Sequence, residues 1–369
     1  MALITINIFS KSNMYPFIFA IFWYIRQKVE ISNFNDKVND ICYYLFFIYF
    51  SEIIAIFGYF IIIYRIKNND SNIKKTNNNI ALMNEIEYIY IERIYFLKDK
   101  KIKLFFFILF SFILDIFVTL ILSYKINYSK ESNFEVYCRP FQIIINSILS
   151  LIFLKIKIFS HQKLSIILIL FSGIFIFLSE NSFSSDILLI LLQYFIGFII
   201  SGLLDIIETK TLILISPYLL LFFKGMIGLI GVILFSLIKG NFIILITFLR
   251  SSLNLLLITF IISSMIFNIF FELTLQFLTP NHICIGDCLS SILLFIIDDL
   301  KKGNNILKII GYLFLIFGCL IFNEFIILHF FNLEENTKYE ISKRCNESYN
   351  NIQNEDQDNN TLLNESIEK

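Results

Sequence analysis

The chain has 369 residues, of which 57% are hydrophobic and 16% are charged, whereas a soluble domain usually carries about 25% charged residues. The 30 Lys and Arg residues equal the 30 Asp and Glu residues in number, so no bulk basic charge marks a nucleic-acid-binding protein. The apolar residues are gathered in blocks too long for a soluble core, which excludes a chain of ordinary soluble domains and indicates an integral membrane protein.

The apolar blocks are long enough to be membrane helices. The first, residues 14–25, is bordered by Lys11, Arg26 and Lys28 and is followed by no small-x-small cleavage site, so we interpret it as a weak membrane helix continuing towards Val29. A hydrocarbon core of about 30 Å needs about 20 helical residues. The further blocks that approach this length are residues 41–64, 104–123, 136–154, 164–179, 185–204, 213–238, 252–271, 281–297 and 306–328. They do not alternate polar with apolar residues as barrel strands would, so we predict an all-α polytopic fold with about ten transmembrane helices.

Two regions are too polar for the membrane. The connector of residues 66–103 opens with an Asn- and Lys-rich run for which we predict disorder. Its later part, residues 80–97, has a stripe of apolar residues at helical spacing and is predicted to be an amphipathic helix at the membrane interface. Residues 332–369 are predicted to be a disordered acidic tail, with nine acids against four bases from Glu334 onward.

Positive charge in the loops predicts the orientation of the helices. The loops after the second and fourth predicted helices carry twelve Lys and Arg residues, whereas the first and third loops, on the opposite side, carry five. Because cytosolic loops are the richer in Lys and Arg, ten helices would place both termini in the cytosol.

The chain also shows signs of duplication. Residues 153–177 and 295–322 share one layout, in which an apolar helix is followed by a short basic turn and then by a helix with a central glycine. If residues 1–179 and 185–328 each hold five helices, the odd number makes the second half enter the membrane from the opposite side. The prediction is therefore two inverted five-helix repeats, an architecture found in many secondary transporters.

Charged side chains within the predicted helices are the most informative feature. The interpretation rests on Glu52, Asp115, Arg139, Lys224 and Asp287. Each would cost about 2.5–3.5 kcal/mol if it faced lipid at mid-membrane, and the five together would cost on the order of 12–18 kcal/mol. We expect them to face the bundle interior, either as structural ion pairs that set helix register or around a polar cavity for a solute or protons, and we favour the cavity.

Other polar residues are interpreted as structural. Asp205 and Glu208 stand at the predicted end of helix six, where solvation explains them. Gln142, Asn254 and Asn268 are expected to be hydrogen-bond partners between helices. The six cysteines include no CxxC pair and no His stands at metal-ligand spacing, so neither a disulfide framework nor a metal site is predicted.

The sequence lacks the short motifs of common enzymes. It contains no Gly-rich phosphate loop, no Ser–His–Asp order and no HExxH pattern. We therefore expect no enzymatic activity and no cofactor.

Several stretches of the sequence, taken in chain order, carry a family resemblance. In the first half they are residues 49–64, 112–123, 135–158 and 161–177, and in the second half residues 216–235, 278–291 and 311–326. This order resembles the drug/metabolite transporter superfamily, and most closely the F branch of solute carrier family 35, which is related to nucleotide-sugar transporters. The likeness includes a Glu in helix two that matches Glu52, an Asp in helix three that matches Asp115, and an Arg opening helix four that matches Arg139.

The resemblance implies ten helices in two inverted halves, with a central site reached alternately from each side. We expect that Glu52, Asp115, Arg139, Lys224 and Asp287 contribute to that site. In that site Arg139 and Lys224 would attract anionic groups, while Asp115 or Asp287 would bind a cation or carry a proton.

The chain departs from the family pattern where such a site would be lined. Val136 stands in place of a Gln, Pro140 in place of a Gly, and Ile283 in place of an Arg. Lys224 replaces a common acid, which reverses the sign of the charge. These departures bear on the substrate more than on the fold.

The leading hypothesis is a secondary transporter that moves a small organic solute by alternating access, and nothing in the sequence selects among nucleotide sugars, phosphorylated or amino compounds, and other metabolites. The alternative is a non-transporting membrane scaffold or receptor that acts through its acidic tail, which deletion of residues 334–369 would distinguish. A third hypothesis is an ion channel, although channel charges usually form rings in an oligomeric pore and these are scattered over five helices.

The expected partners are the lipid bilayer and a small-molecule solute, with anionic solutes among the expected classes, and no nucleic acid. The sequence is compatible with both a monomer and a homodimer. No KDEL-type ending or lipidation motif is present, and an endomembrane such as Golgi, endosome or lysosome is favoured over the plasma membrane.

Overall fold

Within the residues that it describes, a computed structural model has ten α-helices and one short two-stranded sheet. The described residues are 4–6, 14–34, 41–61, 63–64, 101–124, 134–179, 187–238, 255–299, 306–329, 333, 337 and 340. The helices are α1 (Tyr15–Phe34), α2 (Ile41–Ile54), α3 (Lys101–Tyr124), α4 (Phe134–Leu149), α5 (Ser160–Ser179), α6 (Ile187–Leu212), α7 (Pro217–Ile238), α8 (Leu255–Phe277), α9 (Pro280–Leu294) and α10 (Ile306–Phe322). Two of them, α4 and α9, continue into π-helical turns at Ser150–Leu154 and Phe295–Asp299.

Six helices in the described part of the chain are long and apolar enough to cross a membrane. They cover Tyr44–Ile61, Ser160–Ser179, Leu191–Leu212, Pro217–Ile238, Leu257–Phe277 and Pro280–Ile297. Shorter apolar helices cover Leu104–Val118, Cys138–Leu154 and Ile306–Phe322. Large apolar side chains such as Phe57, Phe106 and Phe171 are exposed on the outside of the bundle, as a hydrocarbon solvent favours. The chain is therefore an all-α polytopic membrane protein.

The predicted apolar blocks coincide with these helices, but several boundaries differ. The second helix is interrupted by a turn at Ala55, after which helical residues continue to Ile61. The sixth continues to Leu212, well beyond the predicted end at residue 204, and the eighth continues to Phe277, beyond the predicted end at residue 271. A charge that ends a hydropathy block therefore does not end a helix when its side chain is buried in the bundle.

Three predicted features fall on parts of the chain that the structure does not describe. The predicted interfacial helix, residues 80–97, lies outside the described residues, as does the predicted disordered run before it. Of the predicted tail, residues 332–369, only positions 333, 337 and 340 are described.

The helix α9 lies at the centre of the bundle. Of its apolar span, 67% is buried, against 28–44% for the other five spans. It packs against α1, α4, α6, α8 and α10. The most extensive contacts elsewhere join α5 to α10, α1 to α8, α2 to α7 and α3 to α6, so a side chain on the inner face of any of these helices meets other helices rather than lipid.

Small residues allow two pairs of helices to approach closely. Between α5 and α10, Ser165 Oγ donates a hydrogen bond of 2.6 Å to the carbonyl oxygen of Gly318. Between α2 and α7, a Cβ placed on Gly225 would lie 2.7 Å from the carbonyl oxygen of Tyr49, which is closer than real Cβ atoms come. Helices in membranes associate largely through such close packing of small residues, so these positions set the register of both pairs.

The two strands join the segment before α1 to the segment after α10. Strands β1 (Ile4–Ile6) and β2 (Ile326–Leu328) are antiparallel, with Thr5 opposite Ile327. A tight turn follows α10, in which Glu324 has a φ of 58°. The N-terminal strand and the end of α10 therefore lie at the same end of the bundle.

Candidate functional site

The five charged residues predicted for the site lie on five different helices. Glu52 is on α2, Asp115 on α3, Arg139 on α4, Lys224 on α7 and Asp287 on α9. Four of them expose only 4–9% of their surface, and Asp115 is partly buried. They form two groups, since Glu52 and Asp115 lie around Lys224 whereas Arg139 is paired with Asp287.

The first group, named here the Lys224 cluster, surrounds one ammonium with four carboxylates. Its members are Lys224, Glu52, Asp115, Glu208 and Glu272. The ammonium nitrogen of Lys224 lies 2.5 Å from Oε1 of Glu208 and 3.9 Å from Oε1 of Glu272. The carboxylates of Asp115 and Glu52 also interact electrostatically with Lys224. Helices α2, α3, α6, α7 and α8 therefore meet at one charged centre.

Neutral side chains orient two of these carboxylates. Ser111 Oγ donates a hydrogen bond of 3.0 Å to Oε1 of Glu208, which joins α3 to α6. The hydroxyl of Tyr49 donates a hydrogen bond of 3.3 Å to Oδ2 of Asp115, which joins α2 to α3. Each acid thus has a position set by a second helix as well as by its own.

Helix α8 presents an amide and a carboxylate on the same face, because residues four positions apart lie one helical turn apart. Asn268 Nδ2 donates a hydrogen bond of 3.4 Å to Oε1 of Glu52. One turn further on, Glu272 approaches Lys224. The same face of α8 therefore contacts both α2 and α7 inside the cluster.

Glycines on α7 bring α2 against the cluster. A Cβ on Gly225 would lie 2.7 Å from the carbonyl oxygen of Tyr49 and 2.9 Å from Cβ of Glu52. A Cβ on Gly228 would overlap the ring of Tyr49. Since a larger residue at Gly225 would require movement of the α2 backbone, and one at Gly228 would displace the ring of Tyr49, these glycines place Tyr49 and Glu52 next to Lys224.

The second group is an ion pair between α4 and α9. The Nη1 atom of the Arg139 guanidinium lies 2.6 Å from Oδ1 of Asp287. Its Cζ atom also lies 4.5 Å from the centre of the Trp23 ring on α1, within the range of a cation–π interaction. Arg139 thus links three helices at the centre of the bundle.

A further carboxylate connects the two groups. Asp205 on α6 is 1% exposed and accepts a hydrogen bond of 2.8 Å from Nδ2 of Asn146 on α4. It interacts electrostatically with Glu208 on one side and with Asp287 on the other. The two groups are therefore parts of one charged network across the bundle.

Acids outnumber bases in this network. The acids are Glu52, Asp115, Asp205, Glu208, Glu272 and Asp287. Among the described residues, the buried bases opposite them are Arg139 and Lys224. Arg26 on α1 adds an interaction with Glu52. Even with this third base, the carboxyl groups exceed the bases by three.

Several carboxylate oxygens of the network lack hydrogen-bond donors. Oε2 of Glu52, Oε2 of Glu208 and both oxygens of Glu272 have no hydrogen-bond partner among the described residues. A buried charged oxygen without a donor is unfavourable. The site is therefore suited to accept protons or donors that carry positive charge.

The structure adds three residues to those predicted from the sequence. The expectation that Asp205 and Glu208 are solvated at a helix end is wrong, because α6 continues to Leu212 and their exposures are 1% and 0%. Glu272 lies one position beyond the predicted block and within α8. The available signal was the run of Ile, Leu and Phe residues on both sides of these acids, which allows a helix to continue through them.

Two of the predicted hydrogen bonds between helices are confirmed. Gln142 Nε2 donates to Ser201 Oγ at 3.4 Å and joins α4 to α6. Asn268 joins α8 to α2 through Glu52. Asn254 lies outside the described residues.

Within the described ranges, no group of His, Cys, Asp and Glu side chains is arranged to hold a metal ion. No protein-family model and no curated protein matches the chain. A function therefore has to be inferred from the physical chemistry of the charged network and of the helices around it.

Proposed function

We propose that this chain is a secondary transporter that moves a small organic solute across a membrane by alternating access. The observation that carries the proposal is the charged network, which lies inside an apolar bundle and draws residues from α2, α3, α4, α6, α7, α8 and α9. Ionisable groups within membrane segments are costly and usually mark substrate or ion pathways. Ion pairing that served only the fold would need matched charges, whereas this network has an excess of acids.

We further propose ten membrane spans in two inverted halves, α1–α5 and α6–α10. The most extensive contacts between helices support this arrangement. Twofold symmetry between the halves would exchange each helix with the one five positions away in the chain. This exchange turns the pair α1–α8 into α3–α6, the pair α1–α9 into α4–α6, and the pair α2–α8 into α3–α7. All six of these pairs are in contact. The pairs α2–α7, α4–α9 and α5–α10 exchange into themselves and are also in contact. A pseudo-twofold axis between the halves would produce this correspondence.

The pairing of β1 with β2 supports an even number of spans. The strand before α1 is hydrogen-bonded to the strand after α10, so the chain enters α1 and leaves α10 at the same end of the bundle. The helices α1, α3, α4 and α10, added to the six long apolar helices, would bring the number of crossings to ten.

The closed state of the cluster fits one step of an alternating-access cycle. Glu208, Glu272 and Lys224 expose 0%, 1% and 5% of their surface. A site between two inverted halves opens to either side when one half moves against the other. We assign the described conformation to an occluded state, from which such a motion would expose the cluster to each side in turn.

Counterflow into liposomes tests the transport proposal. The purified chain would be reconstituted in vesicles preloaded with nucleotides, sugar phosphates, amino acids and organic amines, and labelled members of each class would be added outside. We expect saturable exchange of one class. Asp115→Asn and Arg139→Gln should lower it, whereas Lys163→Gln, an exposed position on α5, should not. Flux at the wild-type level in both correctly folded site variants would mean that Asp115 and Arg139 are only structural.

The same assay separates the competing hypotheses. Deletion of residues 334–369 should leave the flux of a transporter intact, whereas a scaffold acting through its tail would lose its function. Saturable counterflow would also exclude a simple channel, because a channel does not couple the movement of one solute to that of another.

A further inference from the structure

The charge of the Lys224 cluster restricts the kind of solute that it can hold. Glu208 and Glu272 are paired with Lys224, and Glu52 and Asp115 interact with the same ammonium. With all four ionised, these carboxylates exceed the one ammonium by three negative charges. In an interior of low dielectric constant an entering anion would add to this excess, whereas a cation would reduce it.

The two bases that the sequence suggests for an anion are already paired with acids. Lys224 lies 2.5 Å from Glu208, and Arg139 lies 2.6 Å from Asp287 and over the ring of Trp23. Transfer of either base to an anionic solute would leave a buried carboxylate uncompensated, which is strongly unfavourable. The pairing therefore disfavours an anionic solute.

Glu272 offers the contact that an ammonium or guanidinium group needs. It is 1% exposed, and neither of its carboxylate oxygens has a hydrogen-bond partner among the described residues. Its Oε1 is directed at Lys224, but at 3.9 Å the pair is too long for a hydrogen bond. One oxygen each of Glu52 and Glu208 also lacks a donor. An ammonium has three N–H donors and a guanidinium five, so one organic cation would satisfy several of these oxygens.

Aromatic side chains beside the cluster already contact a guanidinium group of the chain itself, that of Arg26. The Cζ atom of Arg26 lies 5.1 Å from the ring centre of Phe267, 5.6 Å from that of Tyr44 and 6.0 Å from that of Phe260. Arg26 also interacts with Glu52. Aromatic faces beside a carboxylate are the usual surroundings of a bound organic cation, so this part of the bundle has the chemistry that such a solute requires.

We infer that the Lys224 cluster binds an organic cation bearing an ammonium or guanidinium group, with Glu272 as its principal contact. This inference rests on the proposed function, because it names the substrate class of the same site. Within the described residues a metal ion has no suitable group of ligands, and aromatic side chains next to the carboxylates suit an organic ion better.

Thermal-shift measurements on the purified full chain test the inference. The probes are guanidinium and ethylammonium at low millimolar concentration, with inorganic phosphate as the anionic probe at matched ionic strength. Both cations should raise the unfolding temperature of the wild type, and phosphate should not. Glu272→Gln should weaken the apparent affinity for the cations at least about tenfold, the value expected for one lost charged hydrogen bond.

A matched substitution controls for the loss of a buried acid. Glu324 is also buried, but it lies beyond α10 and pairs with His161 at 3.5 Å. Glu324→Gln should therefore leave the affinity for the cations near that of the wild type. If Glu272→Gln does not fold, Glu272→Asp serves as the second variant, because it keeps the charge but withdraws it by one methylene and should still weaken cation binding.

Three outcomes would overturn the inference. One is stabilisation by phosphate but not by the cations, and another is an equal loss of cation affinity in Glu272→Gln and Glu324→Gln. The third is stabilisation by lower pH alone with no added effect of the cations, which would assign the missing positive charge to a proton.

Counterflow with the same probes distinguishes the two proposals. Exchange of anions alone would keep transport and overturn the cation site, whereas cation binding without any exchange would keep the site and overturn transport.

Discussion

The ammonium nitrogen of Lys224 on α7 lies 2.5 Å from a carboxylate oxygen of Glu208 on α6, and both side chains are buried. The two helices are consecutive and joined by a short loop, so this ion pair lies on the inner face of a helical hairpin. Three further carboxylates interact with the same ammonium. Charge compensation in the Lys224 cluster therefore depends mainly on one lysine.

Replacement of this lysine should destabilise the protein strongly. We expect Lys224→Met to cost about 3–5 kcal/mol, because removal of one partner leaves buried carboxylates uncompensated. The double variant with Glu208→Gln should lose less than the sum of the two single variants. The measurement is the thermal unfolding midpoint in detergent, with Lys163→Met at an exposed position as the control. Strictly additive losses would contradict the coupling between the two residues.

The close approach of α2 to α7 should make Gly225 intolerant of a methyl group. A Cβ there would lie 2.7 Å from a backbone oxygen of α2, so Gly225→Ala should cost about 1–3 kcal/mol through overpacking and should lower counterflow. Gly231 on the same helix is the matched control, because its Cβ would meet only Phe112 at 3.6 Å. Gly231→Ala should be neutral, or stabilising by up to about 1 kcal/mol through helix propensity. Equal effects of the two substitutions would contradict the proposed contact.

The pair of Arg139 with Asp287 should be detectable through the tryptophan beneath it. Trp23 is the single tryptophan of the chain, and Arg139 lies over its ring. Arg139→Gln should shift the emission of Trp23 and destabilise the protein by about 3–5 kcal/mol, because the buried carboxylate of Asp287 loses its ion pair with the guanidinium.

Two companion variants separate the charge of Arg139 from its stacking. Adding Asp287→Asn to Arg139→Gln should restore part of the stability but not the emission of Trp23. Arg139→Lys keeps the charge and should cost less, about 0.5–2 kcal/mol, through loss of the stacked guanidinium. An unchanged emission spectrum in Arg139→Gln would contradict the cation–π contact.

Ten spans should place both ends of the chain on the same side of the membrane. Epitope tags added before Met1 and after Lys369 would be tested by protease digestion of sealed membrane vesicles. We expect both tags to be digested together or protected together, because an even number of crossings returns the chain to the side where it began. Digestion of one tag alone would require an odd number of spans.

The existence of the helices follows from the sequence, but their ends do not. The block of residues 104–123 lies within α3, because long apolar runs are stable in hydrocarbon only as helices. The block of residues 185–204 stops at a carboxylate, yet α6 continues to Leu212. It continues because Asn146 and Lys224 on other helices compensate the acids of its last turns.

The site was predictable in its residue types but not in its partners. An ionisable residue in an apolar block must avoid lipid, so Glu52, Arg139 and Asp287 can be recognised from their surroundings in the chain. That Arg139 pairs with Asp287, and that Glu272 joins Lys224, depends on helices distant in sequence. Hydropathy carries no information on such pairing, because it describes how each residue interacts with solvent and not how residues interact with one another.

The order of apolar and polar residues along the chain determined that this protein is a helical membrane protein with ionisable groups in its interior, because the free energy of placing a residue in hydrocarbon depends on the residue itself. The fold decided how far acidic groups outnumber basic groups in the central network, since it buried Asp205, Glu208 and Glu272 beside the predicted acids. Electrostatic energies depend on the distances between charges, and those distances are set only when separate helices pack together.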